Sequence, residues 1–183
     1  LRRTIDNLIA YASLVSKQRA LQLEAVSLYD LVQDAVTTLN MMATARRVTI
    51  EAVMVEGLPS IRADRERISD AIYHLIHNGI KFNRSGGMVN VRCAHGDGRV
   101  TIAVADTGRG IPAERLDTLG VPFAQLADPM RRGIEGMGLG LALVKYIVQA
   151  HAGELRMESE LGVGSTFTME LPVEGPTGRG RSR

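Results

Sequence analysis

The stretch MVNVRCAHGDGRVTIAVAD, residues 88–106, constrains the fold most. Two runs rich in valine, isoleucine and threonine flank GDG, and so short a glycine-bearing link turns the chain back on itself as an antiparallel hairpin. A second such pair, GELRMESE and GSTFTMELP, flanks LGVG further on. Strands joined so tightly cannot be the parallel neighbours of a doubly wound sheet, where each pair needs a crossover. Between the strands lie helical patterns without a regular strand-helix-strand repeat. The expected fold class is therefore α+β, a mixed sheet covered on one face by helices.

The helices show in the apolar spacing. In the segment VSLYDLVQDAVTTLNMMATARR, Leu28, Leu31, Val32, Ala35 and Leu39 recur on one face, and Ser27 stands where an N-cap belongs. VTIEAVMVE, residues 48–56, has strand character; LPSIRAD then leads into a helix over about 64–82, with Asp64 as its cap. Residues 138–152, GLGLALVKYIVQAHA, form a helix preceded by glycines. Residues 1–20 place Ile5, Leu8, Ile9, Ala12 and Val15 at helical spacing, one apolar stripe that needs a partner. The last residues, VEGPTGRGRSR, lack periodicity and suggest a disordered tail.

Composition excludes several function classes. Hydrophobic residues at 45% and charged residues at 23% suit a packed core, and a formal charge of +2, much of it in the final GRGRSR, gives no footprint for nucleic acid. The single cysteine, Cys93, cannot form an internal disulfide, so a reduced, cytoplasmic setting is expected. No apolar run reaches the ~18 residues of a membrane span. The opening LRRTIDNL carries neither Met nor a secretory pattern, which suggests a piece of a longer protein, one whose parent is membrane-bound or not.

Glycines carry most of the chemistry. DTGRGI, residues 106–111, follows a strand, and GMGLGL, residues 136–141, opens a helix, so both lie where backbone N–H groups are free for an anion. The Rossmann and P-loop readings fail on context: GMGLG follows a long loop rather than a first strand, and GxxxxGK[ST] is absent. Isolated glycine pairs more often make turns than ligand sites. In DAIYHLIHNGIKFNRSGG, His74 and His77 lie three apart on neighbouring faces of a helix. Zinc needs three or four ligands and no Cys or His cluster completes the set, so a dedicated zinc site is not expected.

Read in order, HLIHNGIKF (74–82), DTGRGI (106–111), VPFAQ (121–125), GMGLGLALVKYIVQAHAGEL (136–155) and GVGSTF (162–167) resemble the N, G1, F, G2 and G3 boxes of sensor histidine kinases. These kinases belong to the GHKL superfamily of gyrase, chaperone, histidine-kinase and mismatch-repair ATP-binding domains. The resemblance covers roughly residues 28–172, and five boxes in sequence order are a specific signal. It implies the Bergerat ATP-binding fold, a two-layer α/β sandwich, over 27–173. LIAYASLVSKQRALQLEAVSLYDLVQDAV is similar to the end of a dimerisation helix and its link to the catalytic domain. That leaves 1–26 as helix remnant and linker, and 174–183 as tail.

The resemblance also implies roles. Asn78 matches the magnesium-binding asparagine, and Lys81, three residues on, is placed to reach the ATP phosphates as a point charge. Asp106 matches the carboxylate that accepts a hydrogen bond from the adenine amino group, with Gly108 and Gly110 leaving room for the base and Ile111 packing near it. Thr166 is read as a further polar contact. Phe123 opens a loop, roughly 121–137, that resembles a lid over the triphosphate, in which Arg131 or Arg132 is a candidate γ-phosphate contact. Gly136, Gly138, Leu139, Gly140 and Leu141 form the glycine-rich phosphate end. The expected cofactors are ATP and Mg²⁺.

Two departures inform the activity. Gly79 stands where most members have alanine, which tight packing would explain. His74 stands four residues before the asparagine, where hydrolysing branches place a glutamate, so phosphotransfer is expected rather than efficient hydrolysis. A phosphoacceptor histidine is followed by Glu or Asp in such kinases; His74, His77, His95 and His151 are not. The acceptor is therefore expected on an upstream dimerisation domain, with a homodimeric parent and a response-regulator receiver as partners and no nucleic acid. The rival readings are a GHKL ATPase, a degenerate regulatory module and a serine-kinase anti-sigma factor.

Overall fold

A computed structural model describes residues 20–116, 119 and 139–176. In chain order its elements are β1 (Leu23–Val26), α1 (Leu28–Ala45), β2 (Thr49–Met54), β3 (Ile61–Asp64), α2 (Arg65–Lys81), β4 (Met88–Gly96), β5 (Arg99–Asp106), α3 (Ala113–Leu116), α4 (Leu139–Ala150), β6 (Glu154–Glu160) and β7 (Gly164–Pro172). Among the described residues the strands form a five-stranded sheet, ordered β2-β4-β5-β7-β6, and a two-stranded one, β1-β3. β2 runs parallel to β4; every other neighbour is antiparallel. The mixed sheet inferred from the two hairpins is present.

Local chemistry sets the ends of these elements. Asp97 and Gly98, at φ 50° and 71°, join β4 to β5, and two positive φ values in succession give a turn whose twist matches the flanking strands. Ser27 caps α1 by accepting from the Asp30 amide at 3.3 Å, and Asp64 caps α2 by accepting from the Arg67 amide at 3.3 Å. The buried face of α1 is Leu28, Leu31, Val32, Ala35, Leu39 and Ala43. α2 buries Ile68, Ala71, Ile72, Leu75, Ile76, Gly79 and Ile80 and lies between α1 and α4. These faces meet Val89, Val91, Val100, Ile102, Val104, Phe167, Met169 and Leu171 from the sheet in one core.

The small sheet is not expected from the sequence, where 23–26 falls in a linker and 61–64 leads into a helix. β1 pairs with β3 from Leu23↔Asp64 to Val26↔Ile61, and Val173 extends the arrangement by accepting from the Arg62 amide at 2.8 Å. The stripe on 1–19, the loop residues Phe123, Arg131, Arg132, Gly136 and Gly138, and the tail 177–183 lie outside the described residues. Among the described residues no helix is long and apolar enough to cross a membrane.

Candidate nucleotide site

The site grows from the C-terminal half of α2. Gly79 faces the sheet: a Cβ there would stand 3.1 Å from Val89 Cγ2 and 3.6 Å from Asp106 Cβ. The glycine at this departure from the family pattern thus lets α2 approach β4 and β5 closely, which offsets part of the ~1 kcal/mol it costs a helix. The preceding residue, Asn78, faces the start of α4 instead. A Cβ on Gly140 would lie 3.4 Å from His74 Nδ1 and 4.0 Å from Asn78 Nδ2. Consecutive residues of one helix therefore bring the first turn of α4 and the end of β5 to the same place.

Asp106 ends β5, half-buried. Its Oδ1 accepts from the Gly108 amide at 2.8 Å. Burial pushes the carboxyl above the usual carboxylate range, against the backbone N–H groups of Gly108 and Ser165, which favour the charged form. Beyond it the loop turns back on α2. A Cβ on Gly108 would stand 2.6 Å from the Phe82 carbonyl oxygen, and the Arg109 amide donates to that oxygen at 3.3 Å. Gly110, at φ 65°, lies against the Glu160 backbone with no space for a side chain. Ile111 is half-buried against the core, as is Leu141.

An open groove of about 260 Å³ runs along this junction, lined by Lys81, Phe82, Asn83, Arg84, Gly108, Arg109 and Gly162. Lys81 Nζ lies 5.1 Å and Arg109 Cζ 4.6 Å from the centre of the Phe82 ring. Lys81 and Gly108 are expected here from the sequence; Phe82, Asn83, Arg84, Arg109 and Gly162 are not. Arg109 sits inside the DTGRGI box, so its place was signalled by its neighbours.

Thr166 lies on β7, where Gly164, Ser165, Phe167, Met169 and Leu171 are buried; Thr166 falls on the face opposite Ser165 and Phe167, half-buried, between Ala105 and Glu158. The residue on the core side is Ser165, which pairs with Asp106. The alternation of TFTMEL carries that parity and would have identified it. Leu139 opens α4.

His74 and His77 both contact Tyr73, its ring edge-on to His74 and stacked on His77 with centroids 5.8 Å apart in each case. Among the described residues no group of three or more His, Cys, Asp and Glu is placed to hold a metal ion. His151 is buried at 2% exposure. Its Nδ1 meets the Ile147 carbonyl at 2.8 Å, so this nitrogen carries the proton, and Nε2 accepts from the Asp64 amide at 3.0 Å.

Helices thus lie on one face of a mixed sheet, Asp106 ends a central strand, and Asn78 lies beside Gly140 in the first turn of α4. The family model described as "Histidine kinase-, DNA gyrase B-, and HSP90-like ATPase" matches residues 63–175, and the chain belongs to this family. Among curated proteins it is similar to Histidine protein kinase DivJ of Caulobacter vibrioides, 36% identical over 170 residues, and to Sensor histidine kinase ZraS of Escherichia coli, 34% identical over 157 residues. It covers 92% and 86% of itself in these matches but only 28% and 32% of the relatives. Among solved structures it resembles full-length ShkA in complex with AMPPNP, with a TM-score of 0.83 and 27% identity over 96% of this chain and 36% of that one. The catalytic domain of histidine kinase ThkA has a TM-score of 0.74 at 22% identity, covering 84% of this chain and 97% of that one, a likeness of fold.

Proposed function

We propose that this chain is the catalytic part of a two-component sensor histidine kinase: it binds Mg-ATP and transfers the γ-phosphoryl group to a histidine outside these 183 residues. The observation that carries the reading is the convergence on α2, where Gly79 meets Asp106 and Asn78 meets Gly140. Asp106 accepts from the exocyclic amino group of adenine; guanine has a carbonyl there, which a carboxylate repels. Asn78 offers an amide oxygen at the phosphate end, and a hard ion such as Mg²⁺ takes one or two such oxygens and completes its shell with phosphates and water. Lys81 and Arg109 border the groove as cations, and the amides opening α4 favour negative charge.

The donor set thus fits both ligands. When bound, the metal neutralises charge on the phosphates; the chain positions the nucleotide and stabilises the charge that develops on the transferring group. His74, in place of a glutamate, favours transfer over hydrolysis. The acceptor is proposed on an upstream dimerisation domain, and the relatives' names as histidine kinases, together with the short span of this chain within them, support that placement. The homodimeric parent, the response-regulator partner and the cytoplasmic location belong to the same proposal.

Calorimetry tests it. Mg-ATP binding is expected to exceed Mg-GTP binding, to weaken without magnesium, and to fall in Asn78→Ala and Asp106→Asn. Losing a hydrogen bond to a charged acceptor corresponds to roughly 10–100-fold in Kd for Asp106→Asn. Absence of ATP binding refutes the reading, and acid-labile phosphate appearing on the isolated chain refutes an acceptor outside it.

A further inference from the structure

The loop carrying Asp106 and the β6–β7 turn lie backbone on backbone. Gly110 rests on Glu160, Gly164 rests on Asp106, and the Gly162 amide donates to the Arg109 carbonyl at 2.8 Å. One side chain joins them. Ser159 Oγ is 2.8 Å from the Ile111 amide, 2.9 Å from the Gly164 carbonyl oxygen and 2.9 Å from Ser165 Oγ.

Counting protons gives these bonds a direction. A hydroxyl has one proton and two lone pairs. The Gly164 carbonyl can only accept, so the Ser159 proton goes to it. The Ile111 amide can only donate, and takes one Ser159 lone pair. The remaining contact is a hydrogen bond only if Ser165 gives its own proton to the second lone pair. Ser159 is then fully bonded, and Ser165, buried at 7% exposure, is left with lone pairs alone. It is the register partner of Asp106 and lies on the core side of the sheet.

We infer that Ser159 is a positioning residue that sets nucleotide specificity, holding the Ser165 hydroxyl as a pure acceptor beside Asp106 so that the pair selects a purine with an amino group at its 6-position. The inference rests on the proposed adenine role of Asp106. An amino group has two N–H donors and matches two adjacent acceptors; a 6-oxo group has none and faces lone pairs on both. Without Ser159, the Ser165 hydroxyl turns freely and donates to a 6-oxo base.

The test compares Mg-ATP with Mg-ITP, whose base has oxygen at the 6-position, by calorimetry. The wild-type chain is expected to prefer ATP. In Ser159→Ala the ATP/ITP ratio of affinities is expected to narrow by roughly tenfold, the value of one ordinary hydrogen bond. Ser159→Thr, which keeps the hydroxyl, is expected to hold the wild-type ratio. Loss of a merely structural bond would weaken both nucleotides alike and leave the ratio unchanged. Ser165→Ala removes the acceptor while keeping the Ser159 bonds to Ile111 and Gly164, and is expected to narrow the ratio even where Ser159→Ala does not fold. Wild-type preference for ATP with an unchanged ratio in the folded variants overturns this inference alone. No ATP binding by the wild type overturns the adenine reading and this inference with it.

Discussion

Replacing Gly164 with alanine puts a methyl group where the β5 backbone already stands. The new Cβ would overlap the Asp106 carbonyl oxygen and lie 2.9 Å from Asp106 C and 3.1 Å from Thr107 Cα. These are main-chain atoms of a paired strand, so relief requires the start of β7 to move away from the end of β5. The backbone adds its own cost, because φ is 149°, where side chains are rarely accommodated. Overpacking costs about 1–3 kcal/mol and a strained φ adds about 1–3 kcal/mol, so a combined loss of about 2–6 kcal/mol is expected. At ~2–4 °C per kcal/mol for a chain of this size, the melting temperature drops by roughly 4–24 °C. Gly57→Ala is the control: φ is also positive there, at 73°, but nothing lies within 4 Å, so only the conformational term, about 1–2 kcal/mol, applies. Thermal unfolding followed by circular dichroism separates the two. Equal destabilisation of both variants would refute the packing argument. Because the displaced strands carry Asp106 and Ser165, Gly164→Ala is also expected to weaken ATP binding by more than Gly57→Ala does.

Two further outcomes are expected. Burial holds His151 below the ordinary imidazole value of 6.5, against the Ile147 carbonyl and Asp64, which favour its charge, with Arg67 acting in the same direction as burial. Below 6.5 the unfolded chain takes up a proton that the folded one refuses. Stability therefore falls as pH drops from 6.5 toward the folded value, by up to ~1.4 kcal/mol per unit, and is full above 6.5. Denaturant midpoints at pH 7.5 and 5.5 should show a drop that is smaller in His151→Gln; an identical drop in both proteins would exclude His151 as its source. Burial likewise pushes the Cys93 thiol up to about 11. At pH 8 a thiol reagent should label the native chain far more slowly than the chain in denaturant, and equal rates would contradict that burial.

What the sequence determines by itself is whatever rests on neighbours in the chain. The Asp97–Gly98 turn, the caps Ser27 and Asp64, and the apolar faces of α1 and α2 are local, and each is legible because positive φ, orphan amides and helical period act within a few residues. The box motifs were legible for the same reason, since each occupies one short loop or helix end. Tertiary structure decided what depends on distant partners. LEAV and IRAD carry little strand signal, and become β1 and β3 only because each supplies the other's hydrogen bonds across the length of α1 and β2. Which of Ser165 and Thr166 lies on the core side depends on the register of β7 against β5, and a shift by one residue would exchange them. The bonds of Ser159 to Ile111, and of His151 to Asp64, join side chains to amides far away in sequence. No periodicity encodes such bonds; they exist because folding brings each donor to an acceptor it would otherwise find in water.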